Sequence, residues 1–182
     1  MNFMKEYETR IIQIDPEDIR NKLKAVNALK VKMENQINEI YDFENGFLIK
    51  NKGYARIRVI EDLIHNSTHC YMTTKILLSQ GKYKVMEENE TEILNREAGK
   101  NIFQTLGLKL LQSIKKYRES YKYKHSLIEI DINEKSFCPF PYLEIESTND
   151  QELYEIVNLL GYSLGDTTSE TIYEILGRNK KR

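Results

Sequence analysis

Residues 6–10 read Glu-Tyr-Glu-Thr-Arg, which puts Glu6, Glu8 and Arg10 at alternate positions with Tyr7 and Thr9 between them. Successive side chains of a strand point to opposite faces, so the three charges share one face. The device returns along the chain. Arg56 and Arg58 alternate with Ile57 and Val59, and Thr73 shares a face with Lys75. Lys84, Met86, Glu88, Glu90 and Glu92 line one side of a strand. Lys116 pairs with Arg118, Glu129 with Asp131 against Ile128 and Ile130, and Glu144 with Glu146 against Leu143 and Ile145.

Any one of these strands could belong to an antiparallel sheet with a core on one face and water on the other. A wet face usually mixes Ser, Thr, Gln and Lys, whereas these segments carry doublets of one sign. If the sheet curls with the charged faces inward, they line a tunnel, and the apolar faces look outward to be covered by helices. Like charges about 4 Å apart repel by roughly 4 kcal/mol at an effective dielectric near 20. Crowded carboxylates therefore call for hard cations, with Mg²⁺ or Mn²⁺ the best match. Crowded Arg and Lys call for a polyanion, Arg giving forked contacts to phosphate and Lys a point charge. Acids and bases in one cavity suit a polyphosphate carried with a divalent metal.

The elements that must position these residues are legible from period and punctuation. Period-two alternation predicts strands over 4–12, 32–43, 53–61, 69–77, 82–92, 109–123, 126–132 and 141–147. Gly53, Gly81 and the Cys-Pro-Phe-Pro stretch at 138–141 read as turns or loops. Asp15, Pro16 and the apolar Ile19, Leu23 and Val26 predict a capped helix. A second helix is expected near 94–106, its stripe being Leu94, Ala98, Ile102 and Leu106, with Gly107 ending it. A third carries Leu153, Ile156, Val157 and Leu160 before Gly161, and a last one follows Thr167 and Glu170, which have capping-box spacing. The pattern is that of one α+β domain over 1–177, its sheet mainly antiparallel, with a basic solvated tail at 178–182.

Composition narrows the partners. The 182 residues hold 27 basic and 28 acidic side chains, so the net charge of −1 lacks the basic excess of a general nucleic-acid binder. Cys70 and Cys138 stand far apart without a Cys-x-x-Cys partner and read as reduced thiols. His65, His69 and His125 show neither metal-ligand spacing nor a nucleophile motif, and structural or surface roles are expected. No apolar run is long enough to span a membrane and no signal peptide is evident, so a cytoplasmic protein is expected and the Asn-Ser-Thr at 66–68 is no glycosylation site.

Taken in order, these residues resemble the CYTH superfamily, the triphosphate tunnel metalloenzymes that include class IV adenylate cyclases and thiamine triphosphatases. Glu6-Tyr7-Glu8-Thr9-Arg10 matches the family's opening ExExK with Arg in place of Lys. Arg56-Ile57-Arg58, Lys75, and Glu88 with Glu90 fall where the family carries its central motifs. The segment 106–118 resembles the family's LG-to-KxR stretch, ending on Lys116 and Arg118. Asp131 matches a late acidic strand, Glu144 and Glu146 the closing ExE, and 171–177 the terminal Tyr-and-Leu helix. The chain departs from the pattern at Met86, where many members have a basic residue, and at 136–141, where a glycine-containing turn is usual.

The resemblance implies an eight-stranded antiparallel β-barrel, a tunnel with a charged lumen and helices outside. It implies that Arg10, Arg56, Arg58, Lys75, Lys116 and Arg118 hold triphosphate oxygens. Glu6, Glu8, Glu88, Glu90, Glu144 and Glu146 would hold Mg²⁺ or Mn²⁺, and Glu6, Glu8, Lys75 and Glu90 would carry the catalysis. Lys84 and Asp131 are second-tier, while Glu92 and Glu129 are expected to close salt bridges. The expected activity is metal-dependent hydrolysis of inorganic, nucleoside or thiamine triphosphate. The alternative is a class IV adenylate cyclase making cyclic AMP and pyrophosphate from ATP, and a third reading is an inactive polyphosphate-binding module. The near-neutral charge disfavours an RNA 5′-triphosphate end without removing it. The resemblance admits a homodimer.

Overall fold

The structure, a computed structural model, describes residues 7–80 and 84–179. Strand β1 (Tyr7–Ile12) follows the alternation: Thr9 and Ile11 are buried on one face and Glu8 and Arg10 lie on the other. Then come α1 (Pro16–Ala25), β2 (Leu29–Phe43), the short α2 (Phe47–Lys50), β3 (Tyr54–Asp62), β4 (Ser67–Gln80) and β5 (Lys84–Glu92). Helix α3 (Arg96–Thr105) leads into β6 (Leu108–Tyr123), β7 (Ser126–Asn133) and β8 (Tyr142–Ser147). Helix α4 (Asp150–Leu159), a 3₁₀ turn (Leu164–Asp166), β9 (Thr167–Thr168) and α5 (Ile172–Asn179) complete the order. The α+β class is as expected.

The strand count is not. The sheet has nine strands, ordered β5-β4-β3-β2-β6-β7-β8-β1-β9, and hydrogen bonds do not close it, so β5 and β9 are its edges among the described residues. The ninth strand arises where a helix cap was expected. Thr167 and Thr168 pair with Ile11 and Arg10 instead of starting a helix. The capping box lies one turn later: the Glu174 N–H donates to Thr171 Oγ1 at 3.2 Å and the Thr171 N–H to Glu174 Oε2 at 2.8 Å. Helix α5 runs on to Asn179, two residues into the segment read as a tail.

The chain divides into two compact units, one of Met1–Met33 with Tyr117–Arg182 and the other of Glu34–Lys116. In the first, Ile11, Ile128, Ile130, Leu143 and Ile145 from the strands pack with Ile19 and Leu23 of α1 and Leu153, Ile156 and Val157 of α4. Asp15 caps α1 as its sequence suggests, and Asn149, not read from the sequence, caps α4; each accepts a hydrogen bond from its helix's first turn. In the second unit the core is Tyr41, Ala55, Ile57, Phe103 and Leu108, with Leu48 from α2, a helix the sequence did not reveal. Asp42, fully buried, holds α2 by accepting from the Leu48 and Ile49 N–H groups at 2.9 Å each.

Helix α3 presents a different face from the one its pattern suggested. Leu94, Ile102 and Leu106 are exposed, and Gly99 and Phe103 are the buried residues. Two contacts turn the helix. The Phe103 ring packs on Tyr41 with centroids 5.2 Å apart, and Arg96 and Lys100 flank buried Glu39 at 2.7 and 3.4 Å. In this orientation the buried Glu39 carboxylate is paired and the Phe103 ring is covered.

Candidate functional site

Each unit carries its own charged set. In the second unit the pairing of β3 with β4 sets Arg56 opposite Thr73, and that of β4 with β5 sets Thr73 opposite Glu90 and Lys75 opposite Glu88. Arg58 donates through Nη2 to both Glu90 oxygens at 3.0 Å, and Arg56 Nη2 reaches Glu90 at 3.3 Å. The Thr73 hydroxyl donates to Glu90 at 2.6 Å, and Lys75 Nζ lies 2.9 Å from Glu88. Burial works to raise the Glu90 carboxyl's pKa, but the Thr73 hydroxyl and the Arg58 and Arg56 guanidiniums outweigh it and hold it below the usual range. The buried Arg56 Nε has no hydrogen-bond partner among the described residues. Three cations thus meet two carboxylates, with a donor left over. That composition suits an anion.

The first unit has the opposite balance. Glu8 stands directly opposite Glu146 and Arg10 opposite Glu144 across β1 and β8, while Glu129 is opposite Glu144 across β7 and β8. Arg118 clamps this face: Nε and Nη2 donate to the two Asp131 oxygens at 2.6 Å, Nη2 reaches Glu144 at 2.7 Å, and Nη1 contacts Glu129. Arg10 donates to Glu144 at 2.7 Å and to the Glu170 carbonyl at 2.9 Å, and also contacts Glu8. Burial disfavours the Arg10 charge, but Glu144 and Glu8 overcome it and raise its pKa. Five carboxyl groups therefore share this face with two guanidiniums.

Within that acidic surplus, Glu129, Glu144 and Glu146 each bring a carboxylate oxygen within 4.8 Å of the others. Burial, then Glu129, Glu8 and Glu144, push the Glu146 carboxyl up to about 7. An oxygen-only set of crowded, partly buried carboxylates fits a hard divalent cation.

Of the residues expected from sequence, Arg56, Arg58, Lys75, Glu88 and Glu90 come together in one unit, and Glu8, Arg10, Arg118, Asp131, Glu144 and Glu146 in the other. Glu129 closes its expected salt bridge and also joins the acidic group. Asp131 is fully buried and spends both oxygens on Arg118. Lys116 is half-buried on β6, two residues before Arg118 on the same strand face. Glu6 and the Lys84 side chain lie outside the described residues.

Two clusters went unseen in the sequence. Glu119, on the β6 face opposite Arg118, accepts from Arg20 at 2.9 Å, Tyr117 at 2.7 Å and Tyr121 at 2.6 Å and pairs with Lys30 at 2.9 Å. Burial opposes its charge, yet those donors bring its pKa down to about 2. Its spacing from Tyr117 and Tyr121 was the available signal. His69, for which a structural or surface role was expected, is held between Ser67 and Glu92. The i, i+2 spacing of Ser67 and His69 hinted at this, but only strand pairing brings Glu92 alongside.

No helix among the described residues is long and apolar enough to cross a membrane. The CYTH domain family matches the chain over residues 4–172. No curated protein sequence matches it. Among solved structures, PH1012 from Pyrococcus horikoshii OT3 superposes with a TM-score of 0.75 at 23% identity, over 93% of this chain and 98% of that one. A proposed adenylate cyclase from Vibrio parahaemolyticus gives 0.74 at 16% identity, over 94% and 97%. HpAC1 from Hippeastrum, a proposed adenylyl cyclase with a dominant triphosphatase activity, gives 0.62 at 18% identity, over 86% and 88%. At these identities the likeness is one of fold.

Proposed function

Because this chain belongs to the CYTH domain family, we propose that it is a divalent-metal-dependent phosphohydrolase acting on a linear triphosphate. The observation that carries this reading is the acidic group Glu129, Glu144 and Glu146, held on a face where like charges oppose each other across the strands. Glu144 and Glu146, with Glu8 beside them, would hold Mg²⁺ or Mn²⁺. When bound, such an ion supplies charge neutralisation and acidifies an attacking oxygen.

Arg56, Arg58 and Lys75 would hold phosphate oxygens by exchanging Glu88 and Glu90 for the substrate, and the buried Arg56 Nε–H is a donor already in place. Arg118, clamped by Asp131, keeps Glu129 and Glu144 in position. Glu6 and Lys116 complete the proposed ligand set. Phosphoryl transfer rests on positioning and charge stabilisation, which is what this inventory supplies. The paired carboxylates Glu144 and Glu146 favour hydrolysis over cyclisation.

The test is a product assay on tripolyphosphate, ATP and thiamine triphosphate with Mg²⁺ and Mn²⁺ separately. Release of inorganic phosphate is expected. Cyclic AMP and pyrophosphate as the main products from ATP would identify a cyclase instead, and metal-dependent binding without product would identify a binding module.

A further inference from the structure

The odd-numbered residues of β4 share the face on which Arg58 lies, since Tyr71 is the direct cross-strand partner of Arg58. The even-numbered Cys70 and Met72 pack instead against the second unit's hydrophobic core. Ser67, His69 and Tyr71 therefore have no part in that core. His69 is bound at both ring nitrogens: Nε2 lies 2.9 Å from the Ser67 hydroxyl and Nδ1 2.7 Å from Glu92. Both bonds are made at the ring's edge. They fix the plane of the imidazole while its two faces keep no polar obligation.

Tyr71 continues the arrangement. Its ring lies nearly parallel to the imidazole, with an interplanar angle of 28° and centroids 6.4 Å apart. The Arg58 guanidinium carbon sits 5.7 Å from the Tyr71 ring centre. Imidazole, phenol and guanidinium thus form a row of flat groups leading away from a residue in the proposed phosphate-holding set. His69 is one strand repeat, about 7 Å, beyond the Arg58–Tyr71 pair. The side chain of His69 remains 37% exposed, so the row is open to a ligand.

We propose that His69 and Tyr71 form a stacking platform for a planar heterocycle joined to the phosphate chain, and that the substrate is an organic triphosphate rather than the bare inorganic chain. The inference rests on the triphosphate reading of the site. Its physical basis is the sequence-tolerant attraction between aromatic faces, which favours any flat ring at a fixed offset from the phosphates. Ser67 and Glu92 are positioning residues here, because they act by holding the imidazole.

The experiment is calorimetric binding, with Mg²⁺, of the bis-methylene analogues of ATP, thiamine triphosphate and tripolyphosphate, whose P–C bonds none of the candidate reactions cleaves. The wild-type chain should bind a ring-bearing analogue more tightly than the inorganic one, and the ATP and thiamine arms tell which ring is preferred. In His69→Ala that preference, taken as the ratio of dissociation constants, should shrink about tenfold. His69→Phe, which keeps a flat ring without the hydrogen bonds, should restore most of it. A ratio unaltered in His69→Ala overturns the platform while leaving the triphosphate site standing. If the wild type binds none of the three analogues, the triphosphate reading falls and takes the platform with it.

Discussion

Glu8 and Glu146 face one another as a direct cross-strand pair on β1 and β8, and one strand over Glu129 and Glu144 do the same. Opposed like charges weaken a sheet unless something neutralises them. Arg10 and Arg118 do so in part, and Glu146 is left with a pKa near 7. Mg²⁺ or Mn²⁺ should therefore raise the melting temperature, as any ligand of the folded state does. Glu144→Gln and Glu146→Gln should abolish that rise and reduce turnover by about 100-fold or more, beyond the usual effect of residues one step removed from a metal. Thermal melts with and without the ion check this; an unaltered metal response in both variants removes the assignment.

Arg56→Ala should raise KM for tripolyphosphate by about 10- to 100-fold, the range for a lost hydrogen bond to a charged group. The side chain is largely buried but lies outside the unit's hydrophobic core, so the fold should survive. Steady-state kinetics beside a circular dichroism melt separate lost binding from lost structure.

Glu119 makes acid stability testable. Its folded pKa, about 2, lies below the ordinary carboxylate range, so its stabilising contribution is present above that range and is lost as pH falls towards 2. Glu119→Gln should cost about 1–2 kcal/mol near neutral pH, because Arg20 and Lys30 lose the carboxylate they share but are themselves partly exposed to water. It should also flatten the acid limb of stability against pH. Urea titrations between pH 2 and 7 supply the measurement.

Gly53 offers a steric test. A Cβ there would sit 2.3 Å from the Lys75 carbonyl oxygen and 3.1 Å from the Ile76 Cα, both backbone atoms that cannot swing aside. Gly53→Ala should destabilise by roughly 1–3 kcal/mol. Because the displaced segment carries Lys75, weaker tripolyphosphate binding should accompany the loss. Normal stability with normal binding would contradict the close approach.

Alternation alone was enough to read the eight longer strands and most of their charged faces, because a side-chain period of two is a local property of extended backbone, but it did not reveal the buried Glu39 and Glu119. Helix α1 was equally legible from its cap and buried stripe, and α4 from its buried stripe and the glycine that ends it. Partner choice was not, since it depends on which strands lie side by side. Pairing set Glu8 against Glu146, drew Glu88 and Glu90 to Arg56, Arg58 and Lys75, and brought Glu92 to His69. Tertiary packing also turned α3 so that Phe103 meets Tyr41 and Glu39 gains its cations, against the helix's own aliphatic stripe. The types of charge were written locally, but the separation of an acid-rich set from a base-rich one came from long-range strand pairing, which no local period encodes.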